Sequence, residues 1–161
     1  MKNKQILFLT QAALIAALYV VLTMISNALG LASMQIQVRF SEALTILPYF
    51  TPAAIPGVFI GCLLSNLLAG GALLDIIFGS LATLLAAVFT YLLRKWKWLA
   101  PVPPIVSNTL IIPFVLKYAY GITPVWLSFI TVCAGEIISA GILGMLLIFT
   151  LAKYKRQIFN T

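Results

Sequence analysis

Ser41-Glu-Ala-Leu-Thr-Ile-Leu-Pro-Tyr-Phe-Thr-Pro-Ala-Ala-Ile-Pro-Gly-Val-Phe-Ile-Gly-Cys-Leu-Leu-Ser-Asn-Leu-Leu68 is apolar enough to lie in a bilayer, yet it holds Pro48, Pro52, Pro56, Gly57 and Gly61. A single helix across it would lose hydrogen bonds and kink at each interior proline. Two shorter spans, Ser41–Phe50 and Pro56–Leu68, turning at Thr51–Pro56, avoid that loss. Charge arbitrates between the readings. With one span here, Arg94, Lys95 and Lys97 fall on the opposite side of the membrane from Lys2 and Lys4. With two, these clusters and Lys153, Lys155 and Arg156 all share one side, as the positive-inside rule expects.

Composition points the same way. The 161 residues are 63% hydrophobic and 8% charged, with a mean hydropathy of +1.12, more apolar surface than a soluble domain of this length buries. At about 20 residues per span, five to seven or so crossings use up the length. The expectation is one all-α integral membrane domain over residues 1–161. It has six spans, of which the second and third are short, and both termini are cytoplasmic. The net charge of +7 sits mainly in clusters bordering apolar runs, which are topology signals rather than a nucleic-acid surface. Trp96, Trp98 and Tyr154 fit the interfacial aromatic belt.

Ile6–Leu29 is the first span and is too long for the apolar region of a signal peptide. The remaining spans read as Gly71–Leu93, Val102–Tyr120 with a kink at Pro113, and Pro124–Leu151. In the first span Ala12, Ala13, Ala16 and Ala17 form a smooth face that admits another helix closely; internal packing is the plainer reading of that pattern. Between the first and second spans, Met34, Ile36, Val38 and Phe40 alternate with Ser33, Gln35, Gln37 and Arg39, a period of two that predicts an extended or hairpin-like loop. In the six-span arrangement this loop is extracellular, and Gln35 to Phe40 is a candidate lid.

Polar residues in or beside the spans are few. An unpaired ion at membrane depth costs about 2.5–3.5 kcal/mol on insertion scales, so intramembrane ionisable groups are candidate site residues. Glu136 is the sharpest, and Asp75 either caps a helix or meets a ligand. Asn66 and Asn108 either join helices or line a cavity. Arg39 and Glu42, three residues apart, either pair at the surface or belong to the site. There is no histidine, no phosphate-cradling glycine loop and no metal-ligand spacing, and Cys62 and Cys133 read as small core residues. No catalytic set, metal or cofactor is expected.

Two features carry a family resemblance. One is the alanine face; the other is Val38-Arg-Phe-Ser-Glu-Ala-Leu-Thr-Ile-Leu-Pro-Tyr-Phe50 with Pro52, Pro56-Gly57, Asn66-Leu-Leu-Ala-Gly-Gly-Ala-Leu-Leu-Asp75 and Gly79-Ser-Leu-Ala-Thr83. Together they resemble the S components of energy-coupling factor transporters, of the QueT type associated with uptake of queuosine precursors. The resemblance implies a substrate-binding subunit that captures a 7-deazaguanine, such as preQ1 or preQ0, at the outer face of the cell membrane. Its alanine face would dock on a transmembrane T component driven by two ATPase subunits.

A guanine-like base presents adjacent N–H donors that a carboxylate accepts and an oxo group that needs a donor. Glu42 or Glu136 suits the first role, and Asn66, Asn108, Gln37 or Arg39 the second. A cationic aminomethyl group would favour Asp75. Phe40, Tyr49, Tyr118 and Trp126 are candidates to stack on the base. Competing readings are an S component for another vitamin, a stand-alone secondary carrier that titrates Glu136 or Asp75, and a membrane scaffold; a membrane enzyme comes last.

Overall fold

The computed structural model describes residues 2–32 and 37–159, and every regular element within them is helical. In order these are α1 (Lys2–Ala28), a 3-10 helix (Phe40–Tyr49), α2 (Ala54–Leu68), α3 (Asp75–Leu92), a 3-10 turn (Lys97–Leu99), α4 (Val102–Tyr120), α5 (Val125–Ala152) and the short α6 (Lys155–Phe159). Two π-helical stretches interrupt the regular pitch: Asp75–Gly79 opens α3, and Ile137–Leu143 lies inside α5.

The prolines divide the chain where expected. The first segment ends at Tyr49, and α2 begins at Ala54, two residues before the expected start. Pro56 fits inside that first turn because the N–H it lacks has no intrahelical partner there. The first of the two short segments differs in kind from the expected span. Ten residues of 3-10 helix rise only about 20 Å, against a hydrocarbon core of about 30 Å. Ser41 to Pro48 are all buried, so this segment runs through the protein interior, wrapped by α1, α3 and α5. Four helices, α1, α3, α4 and α5, have the length and hydropathy to cross a membrane, and α2 is a shorter apolar helix.

α1 and α2 lie together along a seam of small residues. A Cβ on Gly57 would approach the Ala12 carbonyl to 2.9 Å, and one on Gly61 would come within 2.6 Å of Tyr19 Cβ. Glycine four residues apart is what permits that approach. The main core joins Tyr19 of α1, Leu44, Ile46 and Leu47 of the 3-10 helix, Ala54 and Val58 of α2, and Ile148 of α5. Beyond Leu151, where the last span was expected to stop, α6 folds back: Phe159 stacks on Phe50 at 5.1 Å, and Gln11 Nε2 donates to the Ile158 carbonyl at 3.2 Å.

The loop after α1 is hairpin-like where it is described, since the Val38 N–H donates to the Leu31 carbonyl at 2.9 Å. Ser33, Met34, Gln35 and Ile36 of the expected alternation lie outside the described residues.

Candidate functional site

The 3-10 helix is held to α1 by a polar stripe. Tyr19, Thr23 and Ser26 recur at helical spacing and are at most 2% exposed. The Tyr19 hydroxyl donates to Glu42 Oε1, Thr23 Oγ1 meets Ser41 Oγ at 2.8 Å, and Ser26 Oγ accepts the Phe40 N–H at 2.9 Å. This fixes Glu42 in the interior, 3% exposed.

Opposite it stand α4 and α5. Asn108 Nδ2 donates to Glu136 Oε1 at 2.8 Å and lies 3.3 Å from Glu42 Oε2, so one amide bridges two buried carboxyls from distant parts of the chain. On the α2–α3 side, Arg39 Nη1 donates to Asn66 Oδ1 at 3.4 Å, and Asn66 Nδ2 lies 3.4 Å from the Asp75 carbonyl and 3.6 Å from Cys62 Sγ. Gly79 makes room here: a Cβ would sit 3.1 Å from Asn66 Nδ2. Asp75 Oδ2 accepts the Tyr120 hydroxyl at 3.2 Å.

These side chains enclose a cavity of about 10 Å³ lined by Gln37, Arg39, Glu42, Cys62, Gly79, Thr83, Asn108, Ile112 and Glu136, space for about one water. Two buried polar atoms of its wall, Arg39 Nε and Glu136 Oε2, have no hydrogen-bond partner among the described residues. Such atoms are costly unless something else satisfies them. Burial works against the Arg39 charge, but the nearby acids, Asp75 before Glu42, more than offset this, and the guanidinium is held above its usual pKa. The chain has three acidic residues, and all three, Glu42, Asp75 and Glu136, gather around this one cation. The cavity closes where the loop rests on α5: a Cβ on Gly135 would overlap the Gln37 carbonyl.

The structure therefore brings together Gln37, Arg39, Glu42, Asn66, Asn108 and Glu136, with Asp75 adjoining. Arg39 donates to Asn66, while the partners of Glu42 are Tyr19 and Asn108, so of the two alternatives for Arg39 and Glu42 the side chains lie at the cavity rather than joined in a surface pair. The expected stacking aromatics lie elsewhere. Tyr118 and Trp126 are 70% and 63% exposed on the outside of the bundle; Tyr49 packs edge-on against Phe50 at 4.9 Å; Phe40 is half-buried and outside the cavity lining. At about 100° per residue, Tyr118 and Trp126 stand roughly a quarter turn from the face that carries Asn108 and Glu136. Tyr19, Cys62 and Thr83 are cavity-side residues beyond those expected.

The alanine face divides in two. Ala12 and Ala16 are buried against α2, whereas Ala13 and Ala17 point outward. The first pair is internal packing, and the second pair is exposed on the outside of the helix.

The family model described as QueT transporter matches residues 9–153. The chain belongs to the QueT transporter family. It is also 38% identical over 84 residues to the queuosine precursor transporter QueT of Lactococcus lactis subsp. cremoris (strain MG1363), a match covering 52% of this chain and 49% of that protein. The chain thus aligns with about half the length of this curated relative. No solved structure matches it. Family and helices together make it a multi-pass membrane transporter.

Proposed function

We propose that this family member is the substrate-binding subunit of an importer in the cell membrane, with both termini cytoplasmic, and that it takes up a queuosine precursor of the 7-deazaguanine class. Energy comes from ATP hydrolysis in partner subunits, reached through a transmembrane T component that contacts Ala13 and Ala17. The observation that carries this reading is the convergence of Glu42, Glu136, Asn108 and the loop residues Gln37 and Arg39 on one small cavity, with Asn66 and Asp75 beside it. The relative named as a queuosine precursor transporter supports the ligand class.

The chemistry matches the wall. Glu136 Oε2 is an acceptor awaiting an N–H of the base, and Arg39 Nε is a donor awaiting its oxo group. Glu42, already bonded to Tyr19 and Asn108, orients the site from the far side. Asp75 stands ready for a cationic substituent. A bicyclic base does not fit into about 10 Å³, so Gln37–Arg39 must lift from Gly135 for entry. The segment acts as a lid, and its closing brings Arg39 onto the ligand.

Binding of 7-aminomethyl-7-deazaguanine to purified protein in detergent, followed by calorimetry, tests this. Glu136→Gln is expected to weaken it about 30-fold or more, since loss of one partner from a buried charged pair costs about 2–5 kcal/mol, and Glu42→Gln by less. Unchanged affinity in both variants would remove the carboxylate reading. Uptake by this chain alone in liposomes would instead favour the stand-alone carrier.

A further inference from the structure

Asp75 borders the cavity without lining it, and its two oxygens face different neighbours. Oδ2 accepts the Tyr120 hydroxyl at 3.2 Å, the one hydrogen bond to this side chain among the described residues. Oδ1 lies beside Gly79, where a Cβ would stand 3.3 Å from it. Residues four apart on a helix share a face. Gly79 itself lines the cavity, so its missing side chain leaves Asp75 Oδ1 next to that space.

Tyr120 is held in place for this contact. It is the last residue of α4, and Gly121 follows it in the left-handed conformation at φ +67°, which glycine adopts without steric cost. The Ile122 N–H then returns to the Leu116 carbonyl at 3.1 Å, and Ile122 packs on Ile112, Leu116 and Val132, anchoring the end of the helix. From there the Tyr120 oxygen accepts the Ala72 N–H at 3.0 Å, just ahead of α3. A hydroxyl has one hydrogen to give, and the Asp75 carboxylate takes it.

Charge around the cavity is unbalanced. Among the described residues of the lining, two acids, Glu42 and Glu136, stand against the one base Arg39, and Asp75 adds a third acid beside them. The Arg39 guanidinium donates to Asn66. Carboxylates in apolar surroundings are costly without a cation, and Asp75 Oδ1 is placed to meet one that enters the cavity.

We propose that Tyr120 is a positioning residue for ligand selectivity: by holding Asp75 through Oδ2 it turns Oδ1 to the opening at Gly79, where it meets a cationic substituent on the bound base. This rests on the functional reading above, in which the ligand is a 7-deazaguanine. Among such bases the site then selects a primary ammonium over a neutral group, because attraction between charges strengthens away from water. A tyrosine that only tied α4 to the turn before α3 would support every ligand alike.

The experiment is calorimetry on the purified full chain in detergent with two probes, 7-aminomethyl-7-deazaguanine, a cation at neutral pH, and 7-cyano-7-deazaguanine, which is neutral. The wild type is expected to bind the cation about tenfold or more tightly than the neutral base, as a hydrogen bond to a charged group allows. Asp75→Asn should erase that preference. Tyr120→Phe, which keeps the ring, should weaken the cation about fivefold to tenfold and leave the neutral base unchanged. In the Asp75→Asn background it should no longer alter the ratio of the two affinities, because a positioning residue acts through the group it positions. Equal affinities in the wild type, a ratio that Tyr120→Phe leaves unchanged, or a ratio that it lowers as much without the Asp75 carboxylate as with it, overturns the proposal while the ligand class stands. Binding of neither base by folded wild type overturns the functional reading, and the proposal with it.

Discussion

The α1–α2 seam and the polar cavity flank the same 3-10 helix, but they are held together by different forces. Lipid tails are as apolar as leucine, so helices in a bilayer gain little from hydrophobic burial against each other and depend on close packing or hydrogen bonds. The seam depends chiefly on close packing: Gly57 and Gly61 meet the Ala12 and Ala16 carbonyls and the Ile15 and Tyr19 side chains at about 3 Å or less from an added Cβ. Across the cavity, Asn108 ties Glu42 to Glu136, and Arg39 meets Asn66. The seam therefore has no tolerance for volume and the cavity none for lost polarity. Tyr19 belongs to both, with its Cβ against Gly61 and its hydroxyl on Glu42.

Three substitutions pull the two apart. The largest effect is expected at Gly61→Val, where even the first added carbon meets Tyr19 Cβ at 2.6 Å. Overpacking of this kind costs about 1–3 kcal/mol, and because Tyr19 also positions Glu42, ligand affinity should fall as well. Thermal unfolding in detergent with and without ligand reads both. Next comes Asn108→Ala, which leaves two buried carboxyls without their shared donor at a cost of about 1–3 kcal/mol. Its signature is a lower thermal transition and weakened binding with the α1–α2 seam undisturbed, seen as unchanged cross-linking between cysteines placed on those helices. The smallest effect on the isolated protein is expected at Ala13→Trp. It points outward, so stability should shift by under about 0.5 kcal/mol and ligand binding not at all, while uptake by the assembled transporter is lost. Normal uptake would take the outward alanines out of the docking surface.

Much of this was legible in the sequence because bilayer physics is severe. Pro52 marks the break between the 3-10 helix and α2, with Pro48 and Pro56 just inside the two ends it separates, and Glu42, Asn66, Asn108 and Glu136 stood out as polar groups in apolar surroundings. Which faces they shared was not legible, since that depends on pitch, and the pitch changes at Asp75–Gly79 and Ile137–Leu143 with no marker residue in either stretch. The placement of Tyr118 and Trp126 is illegible for a related reason: nearness to the outer end of a helix says nothing about the direction of the side chain. Tyr19 had a signal that went unread, for Tyr19, Thr23 and Ser26 form one polar stripe on an otherwise apolar helix. Gly57 and Gly61 had one too. They weaken a helix considered alone, and at a spacing of four they also let a neighbour approach.

The π-helical stretch of α5 works as a phase adjuster. Glu136 just before it faces the cavity, and Gly144 just after it packs on Ile46, where a Cβ would come within 3.1 Å of the Ile46 side chain. Ile46 is thus met directly by this helix, and Glu42, four residues earlier, is joined to it through Asn108 at a point eight residues back along it. Each residue of a regular α-helix turns the chain by about 100°, and a wider turn spreads that rotation over more residues. The wide turns let a single helix keep two appointments with the same 3-10 segment, one polar and one steric, that a uniform pitch would set at different angles.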